Sequence, residues 1–101
     1  MKMLMTIKMP PQKFNNHVRD GSIGELMGRI METLKPQAAY FTAKGGTRGG
    51  ILIIDLKDTS QLPFYAEPWF LYFDAEVEFH PYMTPEDLAN AGLDEIGEKW
   101  S

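Results

Sequence analysis

The middle of the chain, residues 38–56, reads AAYFTAKGGTRGGILIIDL. Two runs rich in apolar, aromatic and β-branched residues, 38–44 and 50–56, flank the glycine-rich segment GGTRGG. Such runs are typical of strands, and the glycines between them supply the backbone freedom that a tight turn needs. The stretch therefore predicts a β-hairpin. GGTRGG lacks the strand-to-helix context and spacing of a phosphate-binding loop, which favours the turn over a phosphate cradle.

Two further strands are predicted near the ends of the chain. In residues 2–9 apolar side chains recur at every second position, which is typical of a half-buried strand. Pro10 and Pro11 end it, because neither proline can donate a hydrogen bond to a neighbouring strand. Residues 74–80, DAEVEFH, alternate in the same way and give the fourth strand.

A helical period replaces the alternation between the first strand and the hairpin. Residues 11–36 predict a short helix, a break near Gly21 and a longer helix that ends before Pro36. Ser22 and Glu25 match the S-x-x-E pattern, so we expect a capping box at the start of the longer helix.

Helices are also predicted after the hairpin and at the C-terminus. Residues 60–72 are aromatic-rich and poorly periodic, and Pro63 and Pro68 interrupt them, which indicates a short or broken helix. Residues 84–87, TPED, place a capping hydroxyl, a first-turn proline and two acids at the start of a final helix that runs towards Trp100.

The predicted order is β, α, β, β, α, β and then one added helix. With right-handed crossovers this order gives a ferredoxin-like α+β fold, in which a four-stranded antiparallel sheet carries helices on one face. At 101 residues we expect residues 1–101 to form a single domain. The helices leave the other sheet face uncovered.

We call this uncovered surface the open face. By period two it carries the following side chains: Leu4, Thr6, Lys8, Tyr40, Thr42, Ile51, Ile53, Asp55, Glu76, Glu78 and His80. It is too apolar for a purely solvated surface and too ionisable for an ordinary core. We therefore expect a homodimer in which two open faces meet across a two-fold axis and enclose a cavity.

Composition excludes several classes of function. A formal net charge of −4 gives no electrostatic footprint for nucleic acid or for an anionic membrane. The absence of cysteine excludes disulfides, thiolate zinc sites and cysteine nucleophiles, and is compatible with a cytoplasmic location. The N-terminal apolar run is too short and too polar for a signal peptide or a membrane span.

No metal or cofactor is predicted. The chain has only two histidines, His17 and His80, and no H-x-x-x-H pair, so the sequence predicts no metal site. Either histidine could ligate haem in principle, but no feature of the sequence favours it.

Three segments carry a family resemblance. AEPWF at 66–70, AEVEF at 75–79 and MTPEDL at 83–88, within the βαββαβ order, resemble an uncharacterised bacterial family of the dimeric α+β barrel superfamily. That resemblance implies two sheets packed face to face and pockets between sheet and helices. The superfamily includes muconolactone-isomerase-like enzymes, cofactor-free monooxygenases of small aromatic metabolites and haem-binding members. No catalytic motif of a characterised relative maps onto this chain.

Two functional hypotheses follow. In the first, the chain is a cofactor-independent enzyme acting on a small aromatic or lactone-like metabolite, with His80 as acid or base and Glu78 and Lys8 setting its charge state. The predicted ligand-binding residues are Tyr40, Asp55 and Trp69.

In the second hypothesis, the chain is a non-catalytic homodimeric module that binds a small molecule or a protein. His80 is then an interface residue, and the aromatic stretch around Trp69 is core and dimer packing. His17, beside Arg19 and Asp20, is interpreted as solvated helix surface.

Overall fold

Four strands and five helices make up the structure, a computed structural model that describes residues 1–101. Their bounds, in chain order, are β1 (Lys2–Met9), α1 (Pro11–Arg19), α2 (Ile23–Leu34), β2 (Ala38–Lys44), β3 (Thr47–Asp55), α3 (Leu62–Phe73), β4 (Glu76–Pro81), α4 (Pro85–Ala89) and α5 (Leu93–Lys99). A single 3₁₀ turn, Thr59–Gln61, leads into α3.

The strands form one antiparallel sheet in the order β2-β3-β1-β4. β1 lies in the middle, where Met5 faces Leu52 of β3 on one side and Phe79 of β4 on the other. A β1–α–β2–β3–α–β4 connection with this strand order is the ferredoxin-like arrangement. The predicted fold class is therefore confirmed.

The helices cover one face of the sheet, and the core lies between the two layers. Burial alternates along β1, as period two requires when only one face is covered. The core residues are Met3, Met5, Ile7, Met9, Leu26, Ile30, Leu34, Leu52, Ile54, Leu56, Trp69, Phe73 and Ala75. On β1 and β3 the positions that alternate with those of the open face are buried, namely Met3, Met5, Ile7, Leu52 and Ile54. On the edge strand β2, Phe41 is 51% exposed.

The break between α1 and α2 falls where it was predicted, but the predicted cap does not form. Gly21 has a φ of +81°, in the left-handed region that favours glycine. Ser22 has helical backbone angles and makes no side-chain capping bond to α2. Its hydroxyl lies 2.8 Å from Nδ1 of His17 instead. The expected capping box with Glu25 is therefore wrong, because His17 engages the hydroxyl.

The hairpin turn is tighter than the sequence indicated. It consists of Gly45 and Gly46, both with positive φ, and β3 begins at Thr47. Gly49 and Gly50 therefore lie within the strand. A Cβ at Gly49 would stand 2.9 Å from the carbonyl oxygen of Ile7, so the close approach of β1 requires a glycine there.

Two helices differ from their predicted forms. α3 is continuous over Leu62–Phe73, although Pro68 lies inside it. The predicted C-terminal helix is instead two short helices, because Gly92 adopts a φ of +78° between them. The cap predicted at Thr84 does form: its hydroxyl and the Asp87 carboxylate each accept a 3.1 Å bond from the other residue's backbone N–H.

Candidate functional site

The strand register sets out the open face in rows. Leu4 of β1 lies between Ile53 and His80, and in the next row Thr6 lies between Ile51 and Glu78. No helix covers this surface, because α1, α2 and α3 all pack on the opposite face. The sheet therefore brings the ionisable residues of β4 beside the aliphatic residues of β1 and β3.

His80 and Glu78 form a pair on β4. Nε2 of His80 lies 3.1 Å from a carboxylate oxygen of Glu78, since residues two apart on a strand point to the same side. The two side chains are 53% and 67% exposed. A carboxylate in this position holds the imidazole in one orientation, and an oriented imidazole is a candidate general acid or base.

Lys8 lies one row beyond Glu78. It is opposite Glu76 of β4, and both line a shallow pocket of about 240 Å³. The other lining residues are Thr6, Lys44 and Glu78. The structure therefore brings Lys8 into one pocket with Glu78, while His80 lies at the other side of that carboxylate.

Tyr40 lies on the edge strand, in the row of Thr6 and Glu78. It is 64% exposed and pairs with Ile51. Three strand spacings separate it from Glu78, which amounts to about 14 Å between backbones. It faces the same side as the His80–Glu78 pair but does not touch it.

Asp55 lies at the end of β3, next to the N-terminus. Its carboxylate accepts a 2.6 Å bond from Nζ of Lys57 and a 2.9 Å bond from the N-terminal amine. These two cations, Lys57 first, lower the pKa of Asp55 to about 2. Asp55 thus has its own ionic partners, away from His80.

Trp69 lies in the core rather than on the open face. It is fully buried on α3 and packs at a centroid distance of 6.1 Å from Phe73. Its indole Nε1 has no hydrogen-bond partner. The structure therefore separates Trp69 from the other predicted site residues.

The structure also contains a cleft whose lining residues were not identified from the sequence. We call it the helix–sheet cleft: about 290 Å³ of almost wholly apolar space between α1, α2 and the β2–β3 hairpin. Its lining residues are Met9, Phe14, Ile23, Gly24, Met27, Phe41, Thr42, Arg48 and Gly49. The guanidinium of Arg48 lies 4.4 Å from the ring centroid of Phe14 and donates to Asn15 Oδ1. The sequence did not predict that Arg48 lines this cleft, because Arg48 was assigned to the hairpin turn.

A second polar cluster surrounds His17. Besides the contact with Ser22, the imidazole meets the ring of Phe73 edge-on at 5.8 Å, so His17 is half-buried and not solvated surface. Ser22 N–H donates to Asp20, and the hydrogen bonds from Ser22 lower the pKa of that carboxyl. These contacts fix the bend between α1 and α2.

The structure shows no group of three or more His, Asp or Glu side chains arranged to hold a metal ion. None of its helices combines the length and the apolar character needed to cross a membrane.

Comparison with known proteins yields a fold relationship. No family model matches the sequence, and no curated protein matches it either. Among solved structures the chain is similar to 5-chloro-2-hydroxyhydroquinone dehydrochlorinase from Burkholderia phenoliruptrix AC1100, in complex with 2,5-dihydroxybenzoquinone. The TM-score is 0.61 at 17% identity, and the match covers 85% of this chain and 97% of that one. At this identity the likeness establishes the shared fold.

Proposed function

We propose that the chain is a homodimeric enzyme of the dimeric α+β barrel superfamily that acts on a small aromatic or lactone-like molecule by proton transfer. The His80–Glu78 pair at 3.1 Å is the observation that carries this proposal. The resemblance of the segments around Trp69 and Thr84 supports the superfamily. The structural neighbour, an enzyme named for a small chlorinated aromatic compound, supports the substrate class.

The proposal needs the dimer. A lone chain leaves His80 and Glu78 in contact with water, where their interaction is strongly screened. Two open faces in contact would cover the half-buried aliphatic residues Leu4, Ile51 and Ile53 and remove water from the pair. Excluding water strengthens the interaction of a charged acid–base group with a substrate.

Each residue has a chemical role in this cavity. His80 exchanges a proton with the substrate, Glu78 holds the imidazole, and Lys8 stabilises negative charge that develops on the substrate. Tyr40 contributes an exposed ring for stacking, and Asp55 closes one end of the face. Trp69 makes no contact with the substrate, because the core encloses its ring.

The test is a titration of the full chain with 2,5-dihydroxybenzoquinone. Binding is monitored by the NMR signals of the chain, including those of the two histidine rings. We expect His80 signals to shift and those of His17 to remain, and we expect His80→Gln to weaken binding while His17→Gln does not. Light scattering over a dilution series reports the dimer. A monomer at micromolar concentration, or shifts confined to residues remote from His80, contradicts the proposal.

The helix–sheet cleft favours a second candidate, a non-catalytic binding protein. An apolar cleft with one cation at its edge suits a small flat ring that carries an anionic substituent. In that case the same titration shifts the signals of Phe41 and Met27. Arg48→Gln then weakens binding and His80→Gln has no effect.

A further inference from the structure

The last twenty residues form an arm that stands away from the rest of the chain. The radius of gyration is 17.2 Å and the extents are 60 × 28 × 20 Å, whereas a compact domain of about 100 residues has a radius near 13 Å. No residue of 82–101 is buried. We call these residues the arm.

The root of the arm is held in place. Tyr82 N–H donates to the carbonyl of Lys2 at 3.2 Å, and Lys2 Nζ lies 3.0 Å from the Asp87 carboxylate. Bonds from Thr84 and Lys2 lower the pKa of Asp87, so this ion pair persists well below neutral pH. The arm thus leaves the sheet in a defined direction.

One side of the arm is apolar and has nothing to pack against. Leu93 and Ile96 of α5 form an apolar stripe that Trp100, the residue after the helix, continues, and Trp100 is 79% exposed. Helices of five and seven residues are not stable in water by themselves, so the folded arm requires a surface to cover this stripe. Its own chain does not provide one.

Charge separates the arm from the rest of the chain. The arm contains five acids (Glu86, Asp87, Asp94, Glu95 and Glu98) and one base, Lys99, so it carries 1 − 5 = −4. The whole chain is −4, which leaves residues 1–81 neutral. A neutral body with an exposed cation beside an apolar cleft is complementary to an acidic arm with an apolar stripe.

We propose that the arm of each copy packs across the helix–sheet cleft of a second copy of this chain. The stripe of Leu93, Ile96 and Trp100 meets Phe41 and the apolar lining, and Asp94, which follows Leu93 on one flank of the stripe, faces Arg48. The cleft is open on its own chain and gains its missing wall from the partner. The inference rests on the proposed dimer and adds the reciprocal exchange of arms.

Trp100 provides the readout, because the other tryptophan, Trp69, is already buried. The full chain is titrated with acrylamide across a dilution series, and Trp100→Phe identifies the Trp100 signal. We expect Trp100 to become protected as the dimer forms. Ile96→Asp should raise the dimer dissociation constant about tenfold or more and restore quenching.

A charge swap tests the orientation. Arg48→Asp should weaken protection of Trp100, and adding Asp94→Arg should restore it. Glu95→Lys, which makes the same sign of charge change on the opposite flank of the stripe, is the matched control and should have no effect. A dimer in which Trp100 stays quenchable, or protection that does not depend on concentration, overturns arm exchange and leaves the dimer intact. A monomer at all concentrations overturns both.

Discussion

Replacement of Gly49 by alanine tests the packing at the centre of the sheet. Gly49 lies on β3 between Lys8 of β1 and Thr42 of β2. An added Cβ would stand 2.9 Å from the carbonyl oxygen of Ile7 and 3.0 Å from the Cβ of Lys44. Both contacts are too close, and the nearer atom belongs to the backbone, which cannot rotate away.

The size of the effect follows from two opposing contributions. Overpacking of this kind costs about 1–3 kcal/mol, while restricting the unfolded chain returns about 0.4–1 kcal/mol. We therefore expect Gly49→Ala to lower the free energy of unfolding by about 1–2 kcal/mol. For a domain of about 100 residues, each kcal/mol of lost stability lowers Tm by roughly 4–8 °C.

Gly28→Ala is the matched control. Gly28 lies within α2, and a Cβ there meets no atom within 4 Å. The same substitution should raise the free energy of unfolding by about 0.5–1 kcal/mol, because alanine is the better helix former. Urea unfolding followed by circular dichroism measures both variants. If Gly49→Ala shifts the midpoint upwards as Gly28→Ala does, the close approach of β1 and β3 is refuted.

Three further predictions concern the core, the N-terminal ion cluster and the arm. Leu52→Ala should lower the free energy of unfolding by about 3 kcal/mol, because Leu52 is fully buried in the core between the sheet and the helices. Urea unfolding measures this change. Asp55, whose pKa is lowered to about 2, stabilises the fold above its ordinary pKa of 3.8 and loses that contribution as the pH falls through 2. The difference in stability between wild type and Asp55→Asn should therefore be constant between about pH 5 and 7 and vanish at low pH. Thr84→Ala should lower the stability of α4 by about 1 kcal/mol, because α4 loses its capping hydroxyl. Hydrogen exchange should then show faster amide exchange in residues 84–89, while the unfolding midpoint of the sheet stays unchanged.

Local patterns were sufficient to predict the sheet. Alternation in residues 2–9 and 74–80 identified the first and the last strand in the chain. Period two then assigned each side chain to the helix-covered face or to the open face. The helix break at Gly21 was also predicted correctly. These features depend on neighbours within a few residues, which is the range that sequence periodicity reports.

Features that depend on particular side-chain contacts or on core packing were not predicted. The capping box at Ser22 failed because His17 engages its hydroxyl, and no local pattern reports that contact. The residues that line the helix–sheet cleft were not identified because Arg48 reaches Phe14 only after β3 extends back to Thr47. The continuity of α3 through Pro68 was not predicted because its core packing outweighs the propensity of single residues.

The two candidate sites lie on opposite faces of the sheet, and this separation makes them experimentally distinct. His80 faces the open side beside Leu4, whereas Arg48 pairs with Met9 and lies over Phe14 on the helix side. One small ligand cannot contact both within one chain. The proposed proton transfer at His80 needs the enclosure that a second open face would provide, so turnover should follow the dimer fraction on dilution. Binding in the cleft uses walls that one chain already has, so it does not require the dimer. A ligand that binds the monomer therefore occupies the cleft, and one that requires the dimer and His80 occupies the open face.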